Sequence, residues 1–226
     1  MRNKGLSQEA LKIIACVTML IDHIGAVLVP SIGLRIIGRM AFPIYCFLMA
    51  EGMAHTRNVK KYGLRLAIGA LLAEIPFDLA LFGEFSWMHQ SVMVTLLLGF
   101  CMVLWIRRTV RGRMVPVIIF AVLAELLSVD YGCWGIMIIA LFVMSRDRND
   151  PVAMQALMLF AICWFMGGAG WQFGHFFIPV QICAVAAMAP IGLYSGKKAT
   201  GSRAVQWGFY LFYPAHLLIL WLVRML

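Results

Sequence analysis

The chain has 226 residues, of which 63% are hydrophobic and 13% charged, and its mean hydropathy is +0.89. A soluble domain is about half apolar and a quarter charged, so this composition excludes a wholly water-exposed globular protein. The formal net charge of +9 would suggest nucleic-acid binding in a soluble protein, but here we interpret it as the excess of Lys and Arg on cytoplasmic loops and expect no nucleic-acid partner.

Apolar stretches separated by short polar loops predict an all-α, polytopic transmembrane helical bundle of about nine spans, since a span needs about 20 apolar residues. The fifth and sixth stretches are short, which leaves the count uncertain by about one. No repeat or linker divides the chain, so we expect a single integral-membrane domain over residues 1–226. The predicted spans are 11–30, 34–54, 62–83, 91–106, 114–129, 131–145, 152–167, 176–194 and 206–224.

Loop charges predict the orientation of this bundle. If the N-terminus is cytoplasmic, sixteen of the nineteen Lys and Arg residues fall on the cytoplasmic side, and only Arg35, Arg39 and Arg224 fall on the other. An excess of this size favours a cytoplasmic N-terminus. The six cysteines stand singly in apolar stretches without metal-ligand spacing, so we expect them to pack and predict no metal site.

Several ionisable residues fall where lipid is expected, and each costs several kcal/mol unless it faces a partner or a wet cavity. Asp22 and His23 are adjacent in the outer half of the first span, and adjacent helical residues point about 100° apart. One therefore faces a cavity while the other pairs laterally, or both form a structural pair. Arg35 and Arg39 share a helix face at the outer mouth, either to hold a carboxylate or a developing oxyanion or to snorkel to the interface.

Two carboxylates share a face of the third span, around a proline that loosens the helix. Glu74 and Asp78 are predicted partners for His23 or for the two arginines, and the alternative is a structural ion pair with Arg39.

A basic patch lies at the cytoplasmic end of the second span. Its members are Glu51, His55, Arg57, Lys60 and Lys61. It suits either a phosphorylated cofactor or anionic lipid headgroups, and the residues alone favour the lipid. Near the middle of the last span, His216 and Tyr213 predict a cavity wall, and His89 lies in an outer loop.

Five segments together resemble the TraX family of F-pilin acetylase-like membrane proteins. They are LKIIACVTMLIDHIGA, LRIIGRMAFPIYCFLMAEGMAHTRNVKKYGLRL, LLAEIPFDLALFG, the DYG turn at Asp130 and FYLFYPAHLLIL. The family is associated with N-acetylation of the pilin amino terminus and is distantly similar to the transmembrane acyltransferases. The resemblance implies a bacterial cytoplasmic-membrane enzyme that moves acetyl from cytoplasmic acetyl-CoA to an amine or hydroxyl acceptor at the outer face.

The resemblance implies that His23 is the catalytic base, and it raises the basic patch to a candidate acetyl-CoA site. We expect Asp22, Glu74 or Asp78 to orient His23. Arg39, or a backbone N–H near Pro76, is the expected oxyanion donor. Arg35, His89, Tyr213 and His216 are the candidate acceptor-binding residues. An acetyl-His intermediate, a proton-coupled transporter without acyl chemistry, and a purely structural assembly subunit all stay open.

Overall fold

The computed structural model describes residues 5–109, 111–146, 151–197 and 203–226, without the side chains of residues 151 and 203. Arg2, Lys4, Arg148 and Lys198, which contribute to the predicted charge asymmetry, lie outside these residues. The all-α class is confirmed, with one short hairpin in the described part of the chain. The helices are α1 (Gln8–Val27), α2 (Ile32–Gly38), α3 (Ala41–His55), α4 (Val59–Leu81), α5 (Val92–Arg108), α6 (Met114–Leu126), α7 (Gly132–Met144), α8 (Pro151–Phe165), α9 (Met188–Gly192) and α10 (Arg203–Met225).

The outward-facing surface of this bundle is apolar. Leu71, Leu126, Leu157 and Phe165 are each 70–77% exposed, which suits a lipid-facing surface. Among the described residues, three helical stretches are long and apolar enough to cross a membrane. They are α1 (Gln8–Val27), α2 and α3 taken together (Ile32–His55), and Ala204–Met225 in α10. The chain is therefore a membrane protein, while the nine spans and the orientation stay predictions.

Contacts between distant segments divide the helix ends into two faces. At the predicted cytoplasmic face, Arg107 Nη1 donates to Met53 O at 2.9 Å and Arg146 Nε lies 3.0 Å from Glu51 Oε1. At the predicted outer face, Arg224 Nη1 donates to Ala80 O at 3.4 Å. Each pairing joins segments that the predicted map puts on the same side.

Helix α1 packs against α2, α3 and α10, and α10 also lies along α4. The N-terminus of α1 is capped by Ser7, whose Oγ accepts from Ala10 N at 3.2 Å. Helix α10 buries Tyr213, His216 and Leu217 on one face, the spacing of an amphipathic helix. This packing brings the end of the chain against its first helix.

Two predicted spans differ from the structure. The second is interrupted between α2 and α3, at Arg39 and Met40. The prediction that 176–194 is one helix is wrong: strands β1 (Gly170–Phe173) and β2 (Phe176–Pro179) form an antiparallel hairpin, followed by a 3-10 helix (Val180–Ala187) and α9. Gly174, at φ +59°, allows the tight turn. The hairpin sequence is aromatic and contains no Asp, Glu, Lys or Arg, which is why hydropathy predicts part of it as a span.

Candidate active site

A buried carboxylate on α1 holds two arginines at the predicted outer face. Asp22 Oδ2 lies 2.5 Å from Arg35 Nη1, and Asp22 Oδ1 lies 2.6 Å from Arg39 Nη2. Arg39 Nη1 also donates to Gln181 Oε1 at 3.0 Å, so the guanidinium ties α1 to the 3-10 helix. The Asp22 carboxylate pairs with both cations but balances only one of them, so these three side chains together carry one net positive charge.

The close approach of α2 to α1 depends on Gly38. A Cβ atom at this position would overlap Cβ and Oδ1 of Asp22. Glycine therefore lets the Asp22 carboxylate lie against the helix that carries Arg35.

We expect Gly38→Ala to displace Asp22 and lower the thermal unfolding midpoint. Gly33→Ala, in the same helix, is the matched control, because the atom nearest to its added Cβ would be Ser31 Oγ at 3.7 Å. Unfolding in detergent, followed by circular dichroism, measures the difference. Equal midpoints for the two variants would show that the Gly38 contact does not matter.

The second feature of the site is a pair of histidines from opposite ends of the chain. His23 Nδ1 lies 2.9 Å from His216 Nε2, and His216 Nδ1 lies 2.7 Å from the carbonyl oxygen of Phe212. A carbonyl only accepts, so His216 Nδ1 carries a proton and its Nε2, in the neutral ring, accepts. His23 Nδ1 then donates, and His23 Nε2 keeps a lone pair.

The expected carboxylate partner of His23 is therefore replaced by a histidine. Glu74 Oε1 instead accepts from Ser91 Oγ at 2.5 Å, and Asp78 Oδ2 accepts from Ser86 N at 3.0 Å. Both carboxylates hold the loop that follows α4, and the structure does not bring them to His23 or to the two arginines. The predicted ion pair between this helix and Arg39 is wrong.

The turn between α6 and α7 closes the site. Thr95 Oγ1 donates to the Asp130 carbonyl oxygen, and Asp130 N donates to Gln90 O at 2.8 Å. Burial raises the pKa of Asp130 to about 6, and the Arg39 guanidinium opposes that shift. The next residue, Tyr131, has φ +66° and stacks on Phe42 with 3.9 Å between ring centroids.

Two cavities meet beside the histidine pair. The outer cavity, of about 140 Å³, is lined by Asp22, His23, Arg39 and Asp130 among others. The inner cavity, of about 130 Å³, extends from residues at the predicted cytoplasmic ends of α1, α3, α4 and α10 as far as Tyr213. Met19, Tyr45 and Val92 line both cavities. The two cavities are thus adjacent, and His23 lines the outer one close to the residues that they share.

Basic and aromatic side chains mark the cytoplasmic end of the inner cavity. Lys12 Nζ lies 5.2 Å from the ring centroid of Phe209, and Arg65 lies 5.8 Å from the Tyr62 ring centroid. Arg65 Nε has no hydrogen-bond partner among the described residues. The Lys12 ammonium group thus lies at the cytoplasmic end of the inner cavity, whose other lining residues are mainly apolar.

The predicted basic patch lies beside this opening rather than in it. Glu51 pairs with Arg146, and His55 Nδ1 lies 3.6 Å from Glu51 Oε2. The structure places Arg57, Lys60 and Lys61 in exposed positions around the start of α4. His89, on the opposite face, is exposed and stacks on Phe82 with 5.3 Å between centroids.

Sequence reasoning assigned no role to Lys12, Tyr45 or Gln181. Lys12 offers a signal, since it stands one residue inside the first predicted span. Gln181 lies 142 residues from Arg39, and nothing local to either residue indicates their pairing.

The chain is similar to known proteins along nearly its whole length. A family model described as "TraX protein" matches residues 7–224. The chain is 30% identical to the probable fimbrial assembly protein FimC, serogroup H1, of Dichelobacter nodosus, over 99% of this chain and 98% of that protein. It is 28% identical to an uncharacterised protein of Rickettsia prowazekii, over 66% of this chain and 60% of that protein. No solved structure matches. With the family model covering nearly its whole length, this chain belongs to the TraX family.

Proposed function

We propose that this protein is an acetyltransferase of the bacterial cytoplasmic membrane, which moves acetyl from cytoplasmic acetyl-CoA to an acceptor at the outer face. The observation that carries the proposal is the lone pair of His23 Nε2. The His23 side chain lines the outer cavity, and the inner cavity, which extends from the predicted cytoplasmic face, lies next to it. A base at such a junction can act on two substrates that enter from opposite sides.

In this mechanism the acceptor amine or hydroxyl attacks the thioester carbon while His23 Nε2 takes its proton. The new C–N or C–O bond forms, and the tetrahedral intermediate collapses with cleavage of the C–S bond. The imidazolium then returns the proton to the leaving thiolate, which gives CoA thiol. His216 Nε2 accepts from His23 Nδ1 throughout, so it holds the tautomer and stabilises the imidazolium.

The inner cavity suits the donor. Its wall is mainly apolar and narrow, which fits an extended thioester arm, and Lys12 stands at the end where the phosphates would remain. Arg57, Lys60 and Lys61 are exposed nearby and would add to the positive potential that attracts a polyanion.

The acceptor that we propose is the amino terminus of a pilin-type protein. Support comes from the printed name of the Dichelobacter nodosus relative, a probable fimbrial assembly protein. The charges of the outer cavity agree with it, because two carboxylates, Asp22 and Asp130, line it together with Arg35 and Arg39, so the cavity has no net charge when both acids are ionised. An uncharged amine suits such a cavity, whereas an anionic acceptor would find no excess of positive charge there.

A bulky residue in the inner cavity should block donor binding. Leu66 lines this cavity and is 4% exposed, while Leu64, two residues earlier on α4, is 61% exposed. We expect Leu66→Trp to weaken binding of CoA to the purified protein by at least tenfold in isothermal titration calorimetry. Leu64→Trp, the control, should bind as the wild type does. Unchanged binding by both variants would place the donor elsewhere, and absence of CoA binding by the wild type would contradict the proposed function itself.

A further inference from the structure

Tyr213 is the one tyrosine among the described residues that is buried without an acceptor for its hydroxyl proton; the nearby backbone N–H of Val92 can only donate. The side chain is 3% exposed and lies on the inward face of α10, one turn before Leu217. Leaving a buried hydroxyl unsatisfied costs about 1–3 kcal/mol. A cost of that size in the centre of the bundle points to a ligand group that completes the bond.

The position of Tyr213 relates it to both cavities. Its side chain lines the inner cavity, and its ring stands edge-on to His23, with 6.0 Å between the ring centroids. The ring of His216 lies 5.7 Å away, also edge-on. Tyr213 is therefore beside the base and at the end of the slot that suits the donor.

Arg39, the oxyanion donor expected from the sequence, is poorly placed for that task. Its Nη1 and Nη2 donate to Gln181 and Asp22, and its Nε donates to the Arg35 carbonyl oxygen at 3.3 Å. Three of the five N–H groups of this guanidinium are thus already used, and they fix it between Asp22, Gln181 and the Arg35 carbonyl oxygen. A developing negative charge at the thioester would need a donor that is not already used.

Resting on the acetyltransferase proposed above, we propose that the Tyr213 hydroxyl donates the hydrogen bond that stabilises the oxyanion of the tetrahedral intermediate. When the acceptor attacks, the electron pair of the C=O bond moves to oxygen, and the Tyr213 O–H group donates to that oxygen without transferring its proton. When the C–S bond breaks, the carbonyl re-forms and the hydrogen bond weakens. Tyr213 is then a catalytic residue, because its hydroxyl proton has no acceptor until the oxyanion forms.

The test is Tyr213→Phe, which removes only the hydroxyl. We expect kcat for transfer from acetyl-CoA to a synthetic peptide with a free amino terminus to fall by roughly 10²- to 10³-fold. The affinity for CoA and the unfolding midpoint should stay at wild-type values, since the ring and its packing remain. A purely structural role would instead move the midpoint and leave kcat within a few-fold of wild type.

Two further variants sharpen the result. Tyr45→Phe removes a hydroxyl that also lies between the cavities but is already 3.1 Å from Cys16 Sγ, and a loss as large as that of Tyr213→Phe would overturn the assignment. Tyr194 lies at the predicted cytoplasmic face and lines neither cavity, so Tyr194→Phe should keep the wild-type kcat. If the wild type turns over and Tyr213→Phe keeps the same kcat, the role of Tyr213 is overturned but the acetyltransferase is not. Absence of wild-type turnover overturns the acetyltransferase, and the role of Tyr213 with it.

Discussion

His23→Ala should abolish acetyl transfer while the protein still folds and inserts. Loss of a positioned general base costs roughly 10²- to 10⁴-fold in rate, and no other described side chain near the junction has a free imidazole lone pair. The measurement is release of CoA thiol together with labelled acetyl on an acceptor peptide.

Two controls separate chemistry from folding in this variant. His175→Ala, in the exposed turn of the hairpin, should keep wild-type turnover. Imidazole added to His23→Ala should restore part of the activity, since the deleted ring opens space into the outer cavity. Turnover within tenfold of wild type in His23→Ala would remove this residue from the base role.

Asp22→Ala should be the most destabilising single substitution in the outer cluster. It leaves the Arg39 guanidinium, whose side chain is 12% exposed, buried beside a second cation. Removing one partner of a buried ion pair costs about 3–5 kcal/mol, and Arg35, at 37% exposed, adds little because solvent screens it. We expect a large drop in the unfolding midpoint in detergent. Glu84→Ala, an exposed acid in the outer loop, should leave the midpoint unchanged.

A double variant shows whether the unpaired cation is the cause. Asp22→Ala combined with Arg39→Met removes the stranded charge, so the double variant should be more stable than Asp22→Ala alone. If it were less stable, the effect of Asp22→Ala would have to come from lost packing against Gly38.

Much of the outer cluster could be predicted from sequence. A helical map and the loop charges are enough to place Asp22, His23, Arg35 and Arg39 at one depth on one side. The partners were harder to predict, because adjacent helical residues point about 100° apart and a pairing between helices depends on how each one is rotated. His216 lies 193 residues from His23. The expected carboxylate partners were instead Asp22, next to His23 in the sequence, and Glu74 or Asp78, which share one face of the third predicted span.

The hairpin was missed for a different reason. Between Pro151 and Gly196 the sequence has no Asp, Glu, Lys or Arg, so hydropathy alone gives two spans joined by glycines. Gly167, Gly168 and Gly174 all have positive φ, and backbone of this kind is tolerated near a membrane only where its polar groups are paired. Hydropathy reports neither the positive φ of these glycines nor the pairing of the backbone polar groups.

The most direct test of the acetyltransferase uses sealed vesicles that contain the purified protein, with radiolabelled acetyl-CoA trapped inside and a peptide with a free amino terminus outside. The mechanism predicts label on the outer peptide, CoA thiol in the lumen in equal amount, and neither product with His23→Ala. Passage of a substrate or protons through the vesicle wall without release of CoA thiol would contradict it and favour a carrier.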